Sequence, residues 1–310
     1  MRRCLLILIL CSTGVLFTGQ TSAQYYFQNS RFYDNDWIVE AGATVGIMNA
    51  LTDLGGNKGV GKPFLKDLNL EKTNLSGGFY LTGMYRSLIG VRLEGCFGTV
   101  EGADSVLKDI RTSTFGRYER NLSFRSKIND IHIGVEFHPL FLPRYLSGED
   151  GPPLISPYVH AGVGFFAFEP KAELNGQWYS LQPLRTEGQG FAQYRDRKPY
   201  ELQQRNYHIG TGVRLELTDF IVARLEIDHR ILTTDYLDDV SQDSYIDPSL
   251  FFQNLPAGKA AIASQIYFRS DELNPPDAFS LSNQRGNPRN KDSYFTLQLK
   301  IGVMLGRQRR

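Results

Sequence analysis

The stretch "FIVARLEIDHRIL" (220–232) alternates apolar and charged residues over most of its length. Alternation with a period of two is the pattern of a β-strand that has one apolar face and one polar face. The apolar face runs from Ile221 to Ile231 and is interrupted by His229, whereas the other face carries Arg224, Glu226, Asp228 and Arg230. Such a strand separates an apolar environment from a polar one.

The same alternation recurs in seven further runs, at 36–48, 77–87, 88–100, 128–141, 156–170, 207–217 and 293–305. Short turns near 86–88 and 217–219 join two pairs of runs, a Pro-rich link spans 139–155, and the long links are 49–76, 101–126, 169–205 and 232–292. Short and long links therefore alternate, as they do in outer-membrane barrels. We predict an all-β fold, an eight-stranded antiparallel transmembrane β-barrel with four long extracellular loops, short periplasmic turns and both termini in the periplasm.

The N-terminal residues predict export. Arg2 and Arg3 precede an apolar run, and small residues lead to Ala23, which is typical of a secretory signal peptide. We expect a cleaved signal peptide at 1–23 and a single outer-membrane barrel domain at 24–310. A lipoprotein would need a small residue before Cys11, where Leu10 stands.

The composition fits a barrel and is close to neutral in charge. The chain has 34 Lys and Arg against 33 Asp and Glu, together with 30 Gly, 16 Tyr and 20 Phe. A near-neutral balance gives no indication of a nucleic-acid partner. Cleavage of the signal peptide would leave Cys96 as the one cysteine, which cannot form an internal disulfide.

An eight-stranded barrel is only wide enough for side chains to fill its interior. We therefore predict a closed lumen, rather than an open pore, in which buried opposite charges pair. The predicted lumen network comprises Arg92, Glu94, Arg214, Glu216, Arg224, Glu226, Asp228 and Arg230. Inward glycines are expected to make room for the arginines, at Gly42, Gly46, Gly162, Gly164, Gly210 and Gly212.

No motif predicts an enzyme. The five histidines, at 132, 138, 160, 208 and 229, lack the close spacing of a zinc motif, and neither a GxSxG elbow nor a P-loop is present. We expect no catalytic residue, no cofactor and no metal ligand. A lipid-modifying enzyme remains an alternative, and His229 on the lipid-facing register is its candidate residue.

The stretch "TTDYLDDVS" (233–241) places three carboxylates just past a predicted strand. Closely spaced aspartates favour turns and cap backbone N–H groups, and they can also bind Ca²⁺. The twelve-residue spacing of an EF-hand loop is absent, which favours the capping interpretation.

Three stretches resemble the PorG-like outer-membrane proteins of Bacteroidota: "KDLNL" (66–70), 156–190 and 228–245. The residues that carry this resemblance are Thr186, Glu187, Gly188, Gln189, Gly190, Asp235, Tyr236, Asp238 and Asp239. The resemblance implies an eight-stranded barrel associated with the type IX secretion system. It also implies contact with the periplasmic ring that the PorK lipoprotein and PorN build.

We therefore expect a non-enzymatic, integral outer-membrane component of type IX secretion whose partners are outer-membrane lipids and PorK/PorN-like ring proteins. The expected binding surface is periplasmic, at 139–155 and 217–220. The alternative is a stand-alone small barrel without a secretion role, either a narrow channel or a surface-binding protein.

Overall fold

The computed structural model describes residues 32–55, 72–113, 117–142, 155–273 and 284–309. The predicted signal peptide, the "KDLNL" segment and most of the Pro-rich link lie outside the described residues. None of the helices in the described ranges is long and apolar enough to cross a membrane.

The described residues form nine strands: β1 (Phe32–Leu51), β2 (Asn74–Tyr85), β3 (Ile89–Ala103), β4 (Ser123–Phe137), β5 (Ile155–Leu174), β6 (Gln177–Ser180), β7 (Gln203–Glu216), β8 (Ile221–Leu232) and β9 (Ser293–Arg309). Every pairing is antiparallel, and β1 pairs with β9 to close the sheet. The short β6 only extends β5 as a hairpin beyond the barrel. The predicted eight-stranded antiparallel barrel is therefore confirmed.

Two tight turns define one end of the barrel, which we call the turn end. Arg86 and Ser87 have φ angles of 49° and 55°, as in the left-handed turns that match the twist of a β-hairpin. In the second turn the Leu217 amide donates to the Ile221 carbonyl at 2.9 Å. The long connections lie at the opposite end, which we call the loop end.

The outer surface of the barrel is an apolar belt. Many of its large apolar side chains are exposed, including those of Val45, Phe79, Leu81, Val91, Leu93, Ile131, Ile133, Val159, Val163, Ile209, Leu225, Ile227, Leu299 and Ile301. Exposure of so much apolar surface to water would cost much free energy, whereas in a bilayer the same surface contacts the lipid tails. At the turn end Trp37 and Tyr85 pack with ring centroids 5.2 Å apart, as an interfacial aromatic girdle does. The belt supports an outer-membrane location.

The long connections fold into a cap over the loop end. Their described parts contain three short α-helices, α1 (Arg117–Arg120), α2 (Ser249–Asn254) and α3 (Ala257–Ile266), and 3-10 helices at Asp104–Ser113, Gln182–Leu184 and Ser270–Glu272. Helices α2 and α3 contribute the buried Phe251, Ala260 and Ala263 to one apolar core. Tyr200 stacks on Tyr236 at 4.7 Å. The sequence left the order of these loops open, and the core shows that they pack on one another.

The inward glycines do not make room for arginines, and that prediction is wrong. A Cβ at Gly42 would lie 2.7 Å from a ring atom of Tyr80, one at Gly212 would lie 2.7 Å from Tyr158, and those at Gly162 and Gly210 would clash with histidine rings. Flat rings lie along the barrel wall over neighbouring strands. Arginine side chains are long enough to reach the centre of the lumen, so they need no gap in the wall.

Gly42→Ala should therefore destabilise the barrel by about 1–3 kcal/mol, because the new methyl group overpacks against Tyr80 and the backbone of β9. Gly83→Ala is the matched control, since nothing lies within 4 Å of its Cβ position. The measurement is the urea midpoint of the folded barrel, followed by its heat-modifiable mobility on gels. Equal stability of the two variants would contradict the close packing.

Candidate functional site

Arg224 lies at the centre of the ion pairs in the turn-end half of the lumen. Its guanidinium donates to Glu136 at 2.9 and 3.0 Å and to Glu40 at 3.1 Å. The rings of Tyr80 and Tyr158 lie 5.4 and 5.2 Å from its central carbon. Two carboxylates and two aromatic faces thus surround one cation.

A second group joins β3, β8 and β9 across the lumen. Arg92 donates to Glu226 at 2.6 Å, and the Lys300 ammonium lies 2.5 Å from Glu94 and 2.8 Å from Glu226. The Tyr158 hydroxyl donates to the same Glu226 carboxylate at 2.5 Å. Glu226 is therefore shared by three donors.

The remaining arginines pair at the two ends of this network. Arg214 donates to Glu216 at 2.7 Å and to Glu40 at 2.7 Å. Arg230 donates to Asp130 at 2.7 Å and lies 3.2 Å from Asp228. The structure thus places all eight predicted network residues in the lumen, and it adds Glu40, Asp130, Glu136 and Lys300.

Removal of one residue from such a network costs much free energy. Desolvation of buried ions offsets most of their attraction, so an intact network contributes little net stability, whereas removal of one partner leaves an unpaired buried charge. Arg224 has no exposed side-chain surface, and neither have Glu40 and Glu136.

Arg224→Ala should therefore lower the free energy of unfolding by about 3–5 kcal/mol, because two buried carboxylates lose the cation that they share. The control is Arg86→Ala at the exposed Arg86–Asp36 pair of 2.9 Å, which should cost about 0–1 kcal/mol. Denaturant titration of both variants in the same detergent measures the difference. A cost for Arg224→Ala as small as that of the control would contradict a dry network.

The structure brings together three histidines that the sequence left unconnected. His132, His160 and His208 lie in the lumen on β4, β5 and β7, each at most 3% exposed. His138 is different, because its ring nitrogens lie 3.2 Å from Ser156 and 3.2 Å from Glu136. His229 faces outward, opposite Phe295 on β9, as the sequence register predicted. Cys96 is buried on the inward face, where its thiol accepts from Gln298 at 3.3 Å.

Three of the residues that carry the family resemblance, Thr186, Glu187 and Asp239, belong to one hydrogen-bonded cluster in the cap. The Glu187 carboxylate accepts from the amides of Ser241 and Gln242 at 3.0 Å each and from Arg285 at 2.9 Å. Arg285 also donates to the Thr186 hydroxyl at 3.0 Å. This cluster ties the connection between β5 and β7 to the one between β8 and β9.

The glycines and Gln189 of the same segment shape its backbone. Gly188 and Gly190 have φ angles of 72° and 77°, a region in which a Cβ is strained. The side-chain oxygen of Gln189 accepts from the Glu187 amide at 3.2 Å. The segment is thereby held in the turn that presents Glu187.

Asp238 and Asp239, two of the three aspartates of "TTDYLDDVS", cap backbone and side-chain donors. Asp238 accepts from the amides of Val240 at 2.9 Å and Leu54 at 3.0 Å. Asp239 accepts from the hydroxyls of Thr186 at 2.5 Å and Tyr200 at 2.6 Å. In the described part of the chain, the groups whose ligand atoms are close enough to share a metal ion include none of these aspartates. The contacts therefore favour the capping interpretation.

Burial also makes this end of the cap sensitive to pH. Burial raises the pKa of Asp235 to about 8, and the charge of Asp53 adds to that effect against the opposing Ser241 hydroxyl. Burial likewise raises the pKa of Asp239 to about 7 against the opposing charge of Arg285. The pKa values of Asp238 and Asp292 are raised well above 3.8, first by burial and then by neighbouring carboxylates.

The cap should loosen as the pH rises. In the unfolded chain the Asp235 carboxyl loses its proton above a pH of 3.8, whereas in the folded protein its pKa is about 8. The stability of the cap therefore falls as the pH rises from 3.8, until the pH passes the folded pKa. Amide hydrogen exchange of 233–273, corrected for the intrinsic rate, should increase between about pH 6 and about pH 9.

Asp235→Asn should weaken this pH dependence, because its amide stays neutral throughout, and the part that remains comes from the raised pKa values of Asp238, Asp239 and Asp292. Asp247→Asn is the control, since Asp247 is exposed on the same connection and accepts from the Ser249 amide at 2.9 Å. Exchange that does not change with pH in the unmodified protein would contradict the buried acid cluster.

Comparison with known proteins finds similarity only at the level of structure. No family model matches the chain, and no curated protein matches it. The chain is similar to the outer membrane protein OprG from Pseudomonas aeruginosa at 10% identity and a TM-score of 0.37, covering 89% of this chain and 99% of that one. It is also similar to a major outer membrane protein from Thermus thermophilus at 14% identity and a TM-score of 0.37, covering 87% and 100%. The E. coli Outer Membrane Protein W matches at 11% identity and a TM-score of 0.33, covering 88% and 98%.

Proposed function

We propose that the protein is a non-enzymatic outer-membrane barrel that serves as a structural and assembly component of the type IX secretion system. In this role it contacts periplasmic ring proteins of the PorK and PorN kind. The closed lumen is the observation that carries the proposal. A barrel filled by side chains and capped by its own loops works through its surfaces rather than as a conduit.

The lumen is filled along its length in the described part of the chain. Ile38, Met84, Val222 and Met304 form a small apolar cluster at the turn end, the ion pairs follow, and the cap core closes the loop end. These layers support an anchor over the narrow-channel alternative.

The turn end offers a surface for the periplasmic contact. Leu140 and Leu142 are exposed beyond the end of β4, and Leu217 and Phe220 are exposed in the turn between β7 and β8. We call these four residues the turn-end surface. They lie past the strand ends, so they fit an apolar protein contact at the membrane edge. The Pro-rich link, of which 139–142 is described, begins here.

Photo-crosslinking in intact cells tests the contact. A crosslinker at Leu140 or Leu217 should give covalent adducts with the ring proteins, whereas one at Phe252, which is exposed on α2 at the loop end, should not. The paired change Leu140→Asp with Leu217→Asp should reduce export of type IX cargo at an unchanged level of folded barrel. Phe252→Asp should leave export unchanged.

Normal export of type IX cargo in a deletion strain would overturn the secretion role. Loss of surface binding in Phe252→Asp, with export intact, would favour the stand-alone surface protein. Conductance in a planar bilayer comparable with that of a diffusion porin would overturn the closed lumen and favour the channel.

A further inference from the structure

The lumen histidines occupy a space that neighbouring glycines leave open. His208 lies opposite Gly162, His132 opposite Gly164, and His160 opposite Gly210. A Cβ at Gly162 or Gly210 would clash with the ring nitrogen of the histidine above it. The ring centroids of His132 and His208 are 4.2 Å apart, and those of His160 and His208 are 5.5 Å apart. Three imidazoles thus converge on one level of the lumen.

Two carboxylates lie at the same level, at distances from the imidazoles that suit the ligands of one metal ion. His132, His208 and Asp228 offer ligand atoms that all lie within 4.8 Å of one another, and so do His160, Glu226 and Asp228. His208 Nδ1 lies 3.8 Å from Asp228 and His160 Nε2 lies 3.5 Å from Glu226. These separations exceed a hydrogen bond, and they approach the distance of about 3.3 Å between two ligands of one tetrahedral zinc ion.

The same groups lack hydrogen-bond partners. Within the described residues, no ring nitrogen of His132, His160 or His208 makes a hydrogen bond. Neither oxygen of Asp228 makes one, although the Arg230 guanidinium forms an ion pair with this carboxylate at 3.2 Å. Buried polar groups in proteins are nearly always satisfied, so several unsatisfied groups that face one another need an explanation. His138 shows that this barrel can satisfy a buried histidine where no further ligand is present.

The charge balance of the lumen favours a bound cation at the same level. The buried charged residues of the described barrel strands include seven carboxylates and five cations: Glu40, Glu94, Asp130, Glu136, Glu216, Glu226 and Asp228 against Arg92, Arg214, Arg224, Arg230 and Lys300. Two negative charges therefore remain uncompensated when the histidines are neutral. A buried net charge is costly, and one divalent cation would cancel it.

We propose that the lumen binds one divalent transition-metal ion through His132, His208 and Asp228. His160 and Glu226, which form the second group with Asp228, lie beside this site as further ligands. Imidazole nitrogen with carboxylate oxygen suits Zn²⁺ and its neighbours in the first transition row, whereas Ca²⁺ and Mg²⁺ take oxygen ligands. The ion joins β4, β7 and β8, and β5 through His160, so it acts as an internal crosslink of the barrel. Asp130 lies 3.7 Å from His132 Nδ1, where a second carboxylate orients a ligating ring.

The test uses the full mature chain, without a histidine tag, refolded from urea in detergent in the presence of chelator or of Zn²⁺. Refolding gives the ion access to a lumen that is closed once folded. After gel filtration, metal analysis should find about one zinc per protein, as a single site requires. Refolding with Co²⁺ should give the visible absorption of cobalt bound by nitrogen and oxygen ligands.

The variant His132→Gln with His208→Gln should lower the zinc affinity at least about tenfold and remove the cobalt bands. His229→Gln is the matched control, because its ring lies on the outer face, and it should retain both. Zinc should raise the thermal unfolding midpoint of the unmodified protein and of the control, and should leave that of the double variant unchanged.

Heat-modifiable mobility shows whether each variant has folded, and Asp228→Asn serves as a second test if the double variant has not. Zinc and cobalt uptake by the unmodified protein no greater than that of the folded double variant would overturn the proposal. Loss of uptake in His229→Gln equal to that in the double variant would overturn it too. Neither result bears on the secretion role, which cargo export tests separately.

Discussion

The narrow lumen is the constraint on which the rest of the structure depends. Eight strands enclose a space that only side chains can fill, and a charge in that space must meet a counter-charge. Arg224 meets this requirement with two carboxylates and two aromatic faces. The rings that pack on such cations lie against the wall, and the wall accommodates them at Gly42 and Gly212. Charge pairing and glycine placement thus both follow from the small diameter of the barrel.

The cap extends the same logic to the loop end. Glu187 receives backbone and guanidinium donors from the connection between β8 and β9, and Asp238 receives the Leu54 amide from the one between β1 and β2. These acidic residues are buried, so each must keep its hydrogen-bond donors to remain stable. Because the donors come from other loops, the same hydrogen bonds hold the loops together. The stretch "TTDYLDDVS" therefore matters as a junction of three loops.

The sequence predicted the barrel because period-two alternation and link length are local properties. It placed Arg224 and Glu226 on the inner face for the same reason. It could not predict which side chains meet across the lumen, because that depends on the register between strands. The histidines at 132, 160 and 208 are far apart in sequence, and the register of β5 with β4 and β7 brings them to one level of the lumen. Helix α3 is rich in alanine and follows Pro256, and both features favour the start of a helix. They are weaker than the strand pattern and lie within a long loop, so the sequence did not predict this helix.

Two independent properties of the lumen converge on one level. The five cations are engaged with six carboxylates, and the seventh, Asp228, shares Arg230 with Asp130, so part of the negative surplus lies at Asp228. The unsatisfied imidazole nitrogens lie at the same level. A proton on Asp228 would cancel one charge and supply one hydrogen-bond donor, which leaves the second charge and the other rings unaccounted for. A divalent ion accounts for the charge and for the open ligand atoms together.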